Sequence, residues 1–134
     1  MNKIVVKNLS KSFLTDNIEN LVLQDINFEI SQGETCSIIG ASGCGKSTFL
    51  HLLARLDAFS SGDIFFNEIS YSDLNSNSSA ELRINNFGFV YQFHHLLEDF
   101  NCHDNCKIVQ DLNNKNNNPN IDDLLINVGL KDKF

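Results

Sequence analysis

The stretch Gly40-Ala41-Ser42-Gly43-Cys44-Gly45-Lys46-Ser47 constrains this chain more than any other part of it. It fits G-x-x-x-x-G-K-[ST], a loop whose glycines let backbone N–H groups turn inward as a nest for phosphate oxygens. Such a loop needs a strand to deliver it and a helix to leave it, because the first amides of the helix complete the anion site. Both flanks are present. Thr35-Cys36-Ser37-Ile38-Ile39 is a short apolar run that fits a buried strand. From Lys46 to Leu56, Phe49, Leu52, Leu53 and Leu56 recur at three- and four-residue spacing, which predicts an amphipathic helix. Gly40 through Thr48 are therefore the candidate triphosphate site. Lys46 supplies a point charge for the outer phosphates, the Ser47 hydroxyl a magnesium ligand, and Thr48 a donor to an inner phosphate.

The rest of the chain reads as strands around that loop, then helices. Ile4-Val5-Val6 predicts a short strand, and Leu23 to Ile30 alternates apolar and polar residues as a half-buried strand does. Ser31 to Glu34 is a turn, and Asp63 to Phe66 predicts another strand. Residues 70–79 predict a loop leading into a short helix from Ala80 to Ile84, followed by a strand over Phe87 to Tyr91 that ends at Gln92. Asn113 to Asn120 reads as a polar linker. Ile121 to Leu130 reads as a short helix, with Asp122 and Asp123 in its first turn and Gly129 near its end.

Length and charge then narrow the class. With 134 residues there is room for one domain. Ten basic against 17 acidic side chains give a net charge of −7, which argues against a nucleic-acid binder, since phosphate backbones demand a basic face. The apolar runs are too short to span a bilayer, and the polar start at Met1-Asn2-Lys3 does not fit a secretory signal, so a cytosolic chain is expected. Cys36, Cys44, Cys102 and Cys106 show no paired C-x-x-C spacing and are expected to be reduced thiols. A zinc site from Cys102, His103 and Cys106, with His94 or His95 as fourth ligand, is the competing reading of that cluster.

Leu9-Ser10-Lys11-Ser12-Phe13, Leu23-Gln24-Asp25-Ile26-Asn27-Phe28, Gly33-Glu34, the phosphate loop and Ser61-Gly62-Asp63-Ile64 together resemble the ATP-binding subunit of ABC transporters. Within that superfamily, Phe89 to Leu97, His51-Leu52-Leu53, Leu56-Asp57 and Leu82-Arg83 are similar to the ATPase subunit of bacterial lipoprotein-releasing systems. Macrolide-export and cell-division ATPases carry near relatives of the Gln92-Phe93-His94-His95-Leu96-Leu97 stretch. The resemblance implies an α/β fold of the phosphate-loop NTPase type, with an antiparallel β flap and an incomplete parallel core sheet with helices. It divides the domain into flap and phosphate loop over 1–70, and the Gln92 loop with the start of a helical subdomain over 80–134. It implies ATP and Mg2+ as ligands, Phe13 stacking on adenine with Val22 walling the base, and Gln92 sensing the γ-phosphate and touching magnesium. It also implies integral membrane subunits as partners near His94 and His95, a homodimer in the intact family, and a peripheral position on the cytoplasmic face of the inner membrane.

The departures bear on mechanism. ABC ATPases carry a Ser-Gly-Gly-x-Gln signature, an apolar strand ending in Asp-Glu and a late switch histidine, and none of the three occurs in this sequence. Asp99, Asp104 and Asp111 follow Gln92, but none ends an apolar strand. The family therefore implies an ATP-hydrolysing translocase subunit, while the residues present imply a fragment that binds nucleotide without turning it over. Two other readings compete. One is a non-catalytic nucleotide-binding module or inert remnant, and the other a short phosphate-loop kinase.

Overall fold

A long hairpin sets the frame. In the computed structural model, which describes residues 2–113 and 118–131, β1 (Lys3–Thr15) and β2 (Ile18–Ser31) pair antiparallel around a two-residue turn at Asp16 and Asn17. Both turn residues have positive φ, as a twisted hairpin requires, and Asp and Asn accept that conformation more readily than other side-chain-bearing residues. The first strand is thus far longer than the Ile4–Val6 stretch the sequence marks, because the turn and not apolar content fixes its length.

The hairpin is bulged three times. The pairing shifts between Val6 and Leu9, between Leu9 and Lys11, and between Lys11 and Ser12. At the first two shifts Asn8 and Asp25 take positive φ, and the Asn27 side chain and the Ser10 hydroxyl accept their amide protons at 3.0 Å each. The third shift leaves Val22 as the extra residue, because Lys11 faces Leu23 while Ser12 faces Leu21.

β3 (Ser61–Phe66) pairs antiparallel with the other edge of β1, and β4 (Ile69–Ser70) with β3, giving the order β2-β1-β3-β4. Gly62 cannot be replaced here. A Cβ at its positive φ would collide with the carbonyls of Lys7 and Asn8. Helix α1 (Lys46–Leu53) buries Phe49 and Leu52, and Phe49 meets Phe28 of β2 edge-to-face at 5.7 Å. Val6, Leu9, Leu23, Ile64 and Tyr71 complete this core. The end of α1 is closed twice. Leu56 N–H donates to His51 and Arg55 N–H to Leu52 around a left-handed Arg55, the Schellman pattern. Tyr71, in a single 3₁₀ turn, donates its hydroxyl to the Leu53 carbonyl at 2.8 Å.

Residues fall into two compact units, Met1–Arg83 and Ile84–Phe134, with helix α2 (Ser76–Asn86) running across the boundary. It is longer than the helix predicted from Ala80 to Ile84, since Asn75 caps it: its carboxamide oxygen accepts from Ser78 N–H at 2.9 Å. In the second unit, α4 (Ile121–Asn127) has the two first-turn acids and the positive-φ Gly129 that its sequence implies, and the structure adds Asn120 as its cap, the side chain accepting from Asp122 N–H. Helix α3 (Cys102–Asn113) sets Cys102, Cys106, Val109 and Leu112 at helical spacing among polar residues and buries none of them. Asn101 starts it by accepting the Asp104 amide, and Gln110 donates to the Pro119 carbonyl. Asn114, Asn116 and Asn117 of the polar linker lie outside the described residues.

Two sequence expectations are corrected. Neither Thr35–Ile39 nor Phe87–Tyr91 is a strand, and neither belongs to a parallel pair among the described residues. A strand exists by pairing, and the sheet formed by the described residues includes neither run. Ile39, expected in a buried strand, is 90% exposed, and Val90 is fully exposed. In the second run the alternation survives as an aromatic ladder. Phe87 and Phe89 stack at 6.3 Å, Phe89 and Tyr91 at 5.6 Å, and His95 closes on Tyr91 at 4.9 Å.

Candidate functional site

The phosphate loop follows the irregular run 35–39 and ends in α1, all within the first unit. Gly45 is the N-cap of α1 at φ 93°. A Cβ there would lie 2.9 Å from Leu23 Cδ2 and 3.1 Å from both Val22 Cγ1 and the Val22 carbonyl oxygen. Only glycine lets the loop sit down on β2, and the bulge at Val22 is what brings two consecutive residues of one strand against the same spot. Val22, expected beside the base, is thus also the seat of the loop.

Above that seat the helix start is electrostatically open. No side chain caps α1, and among the described residues no acceptor meets the amides of Lys46, Ser47 or Thr48. These orphan donors carry the positive end of the helix dipole. Among the described residues no hydrogen bond occupies the Ser47 hydroxyl, which is exposed. Lys46 folds back over the loop, its Nζ donating to the carbonyls of Gly40 at 3.0 Å and Ala41 at 2.7 Å, with Cys44 Sγ at 3.7 Å. A cation tethered to neutral carbonyls and a thiol at an exposed loop can exchange those bonds for stronger ones to phosphate oxygens. Donors, cation and unengaged hydroxyl are what a triphosphate with magnesium requires, so the residues fit both groups.

Phe13 lies on the outer part of β1, 39% exposed, opposite Asn20 of β2. Its ring is not in the core, unlike Leu9 on the same strand. Lys11, two residues away and only 8% exposed, places its Nζ 4.4 Å from the Phe13 ring centroid. The ammonium is held by Asp57 Oδ1 at 3.0 Å and the Ala58 carbonyl at 2.6 Å. Sequence reasoning gave neither Lys11 nor Asp57 a role, since a lysine in a strand reads as surface.

Gln92 belongs to the second unit, exposed at the end of the aromatic ladder. Just beyond it, Asn105 of α3 uses its whole carboxamide to shape the following loop. Nδ2 donates to the carbonyls of Leu97, Phe100 and Asn101 at 3.0 to 3.2 Å, and Oδ1 accepts from Leu97 N–H at 2.9 Å. His94 and His95 line a mostly apolar groove of about 640 Å³ with Leu96, Leu97, Ile108 and Val109. Cys102, His103 and Cys106 do not converge. His103 faces Asp104 and Asp122 instead, at 3.9 and 3.8 Å, and among the described residues no three His, Cys, Asp or Glu side chains gather to hold a metal.

The comparisons agree with this geometry. A family model described as ABC transporter matches residues 23–133. The chain belongs to the ABC transporter family. The lipoprotein-releasing system ATP-binding protein LolD of Buchnera aphidicola is 44% identical over 117 residues, which cover 86% of this chain and 51% of that protein. LolD of Colwellia psychrerythraea is 45% identical over 97 residues, covering 72% of this chain and 38% of that protein. This ABC chain thus spans about half the length, or less, of the curated relatives it matches. Among solved structures, the ATP-binding cassette MJ0796 in a dimeric post-hydrolysis state bound to ADP and Pi superposes with a TM-score of 0.80 at 27% identity, over 87% of this chain and 50% of that one. A second dimeric MJ0796 structure, described as a bacterial ABC transporter cassette, gives 0.80 at 28% identity with the same coverage. The α/β cassette fold of the phosphate-loop NTPases is therefore this chain's fold, its antiparallel flap formed by β1 to β4.

Proposed function

We propose that this chain is the nucleotide-binding part of the ATP-binding subunit of a lipoprotein-releasing ABC transporter. The observation that carries the reading is the uncapped start of α1, where three orphan amides, Lys46 and an unengaged Ser47 hydroxyl meet at one exposed loop. In this reading Gly40 to Thr48 hold the triphosphate of ATP, Ser47 and Gln92 serve Mg2+, and Phe13 with Val22 receives adenine. Magnesium, when bound, neutralises charge on the outer phosphate oxygens. Lipoprotein release is drawn from the names of the relatives that share 44% and 45% identity. The partners are then integral membrane subunits, met near His94 and His95, and a second cassette, as in the dimeric MJ0796 structures. The site faces the cytoplasm at the inner membrane, held there by those subunits. Among the described residues no helix is long and apolar enough to cross a membrane.

Binding is not hydrolysis. Orienting the attacking water needs a carboxylate, and the residues present include no apolar strand ending in an acidic pair, no signature and no switch histidine. Groups that act as a unit do not substitute for one another, so losing several leaves no turnover above background. Two copies of this chain still contain no signature motif. Phosphate release from Mg-ATP by the purified chain is the test. No release above the buffer rate is expected at any protein concentration. Release that disappears in Lys46→Ala overturns the reading, because a contaminating ATPase does not respond to that substitution.

A further inference from the structure

Lys11 is an unusual residue to bury. A lysine ammonium loses hydration when it leaves water, and it stays charged only where the new partners compensate. Here they do. Asp57 Oδ1 and the Ala58 carbonyl both bind Nζ, and Asp57 Oδ1 also accepts the Ala58 amide at 2.7 Å, which fixes the carboxylate. The segment carrying these acceptors, just after α1, is itself laced to β1. Ser60 N–H donates to the Ser10 carbonyl at 2.9 Å, and Ser12 N–H donates to the Ser60 hydroxyl at 3.0 Å. The ammonium therefore has a fixed seat, and from that seat it covers the Phe13 ring at 4.4 Å.

A cation over a phenyl ring is attracted to the negative π face. Phe13 itself is 39% exposed near the turn end of its hairpin. We propose that Lys11 is a positioning residue for nucleotide binding. Its seated ammonium holds one face of Phe13, so that the other face is presented to the base at a fixed angle. The proposal rests on the reading of Phe13 as the base platform. It adds that the platform is pre-oriented by a charge bound to the segment that leaves the phosphate-loop helix, which ties base and phosphate sites into one rigid frame. Preorganisation of this kind raises affinity by removing the cost of ordering the ring on binding.

Calorimetry with Mg-ATP and with magnesium tripolyphosphate separates this role from a structural one, because tripolyphosphate uses the loop but offers no base. In Lys11→Met, Mg-ATP affinity is expected to fall about tenfold, the order of a partly desolvated cation–π contact, while tripolyphosphate affinity stays within about twofold. Lys11→Arg, which keeps charge and ring contact, is expected to restore Mg-ATP binding. Asp57→Asn unseats the ammonium without removing it, and gives the same split should Lys11→Met not fold. Unchanged Mg-ATP affinity in these variants, or equal losses for both ligands, overturns the proposal. Phe13→Leu distinguishes the underlying reading. If it binds Mg-ATP like the wild type, the base platform itself is wrong. If it loses affinity while Lys11→Met and Asp57→Asn do not, only the role of Lys11 falls.

Discussion

At the residue scale the site depends on a few atoms with no room to spare. Gly45 combines a positive φ with contacts to Leu23 and Val22 that leave no space for a methyl group. Gly45→Ala is expected to cost about 1–3 kcal/mol from backbone strain and displacement together, read as a lower urea midpoint, and to weaken Mg-ATP with it. A wild-type midpoint would show that the loop does not rest on β2 as described. Tyr71 closes the other end of the same helix. Burial pushes its phenol up to about 12, opposed in part by the nearby Arg55 charge. The neutral phenol is the form the fold prefers. Its contribution is full below the unfolded-state value near 10 and is lost as pH rises from there toward 12. Tyr71→Phe is expected to cost about 1 kcal/mol at neutral pH for the lost hydrogen bond to Leu53. It is also expected to flatten the fall in stability between pH 10 and 12. Parallel pH curves for the two proteins would contradict the burial of that hydroxyl.

At the element scale, what the sequence disclosed depended on whether the cause of each element is local. The phosphate loop, α1 and α4 were legible, since their glycines, caps and spacing lie within one short stretch. The hairpin was legible only in part. Asp16-Asn17 is a two-residue turn, but three bulges break the alternation that would have traced β1 through to Thr15. Helix α3 was not read from the sequence, because its apolar face of Cys106, Val109 and Leu112 is short and set among polar residues, and the bonds of Asn101, Asn105 and Gln110 that fix it show only in the fold. Apolar composition predicted strands at 35–39 and 87–91, but pairing comes from elsewhere in space. The amides of 36–39 and 88–91 are therefore expected to exchange with solvent deuterium within seconds, while those of Leu9 and Ile64 in the sheet are protected. Strong protection over 36–39 would mean that a strand partner is present after all. Of the site, the charge seat of Lys11 was invisible for the same reason. Asp57 lies 46 residues away and meets it only through the fold.

At the scale of the whole molecule, half a cassette by length carries an intact phosphate loop. Its family membership rests on residues 23–133, and its fold on a TM-score of 0.80 to a solved cassette. The apolar runs that would serve a parallel core leave Ile39, Phe89, Val90 and Tyr91 exposed, and the flap and α1 form a core without them. The proposed phosphate site lies within that smaller core, since the seat of Gly45, the orphan amides and Lys46 all belong to the first unit. The most direct test is calorimetric titration of the full chain with Mg-ATP, beside Lys46→Ala. Charge-assisted bonds are worth about 1.5–3 kcal/mol each, so the substitution is expected to weaken binding at least tenfold while the unfolding midpoint stays close to wild type. Equal affinity in the two proteins, or no heat of binding in a folded wild-type chain, would contradict the assignment of this loop.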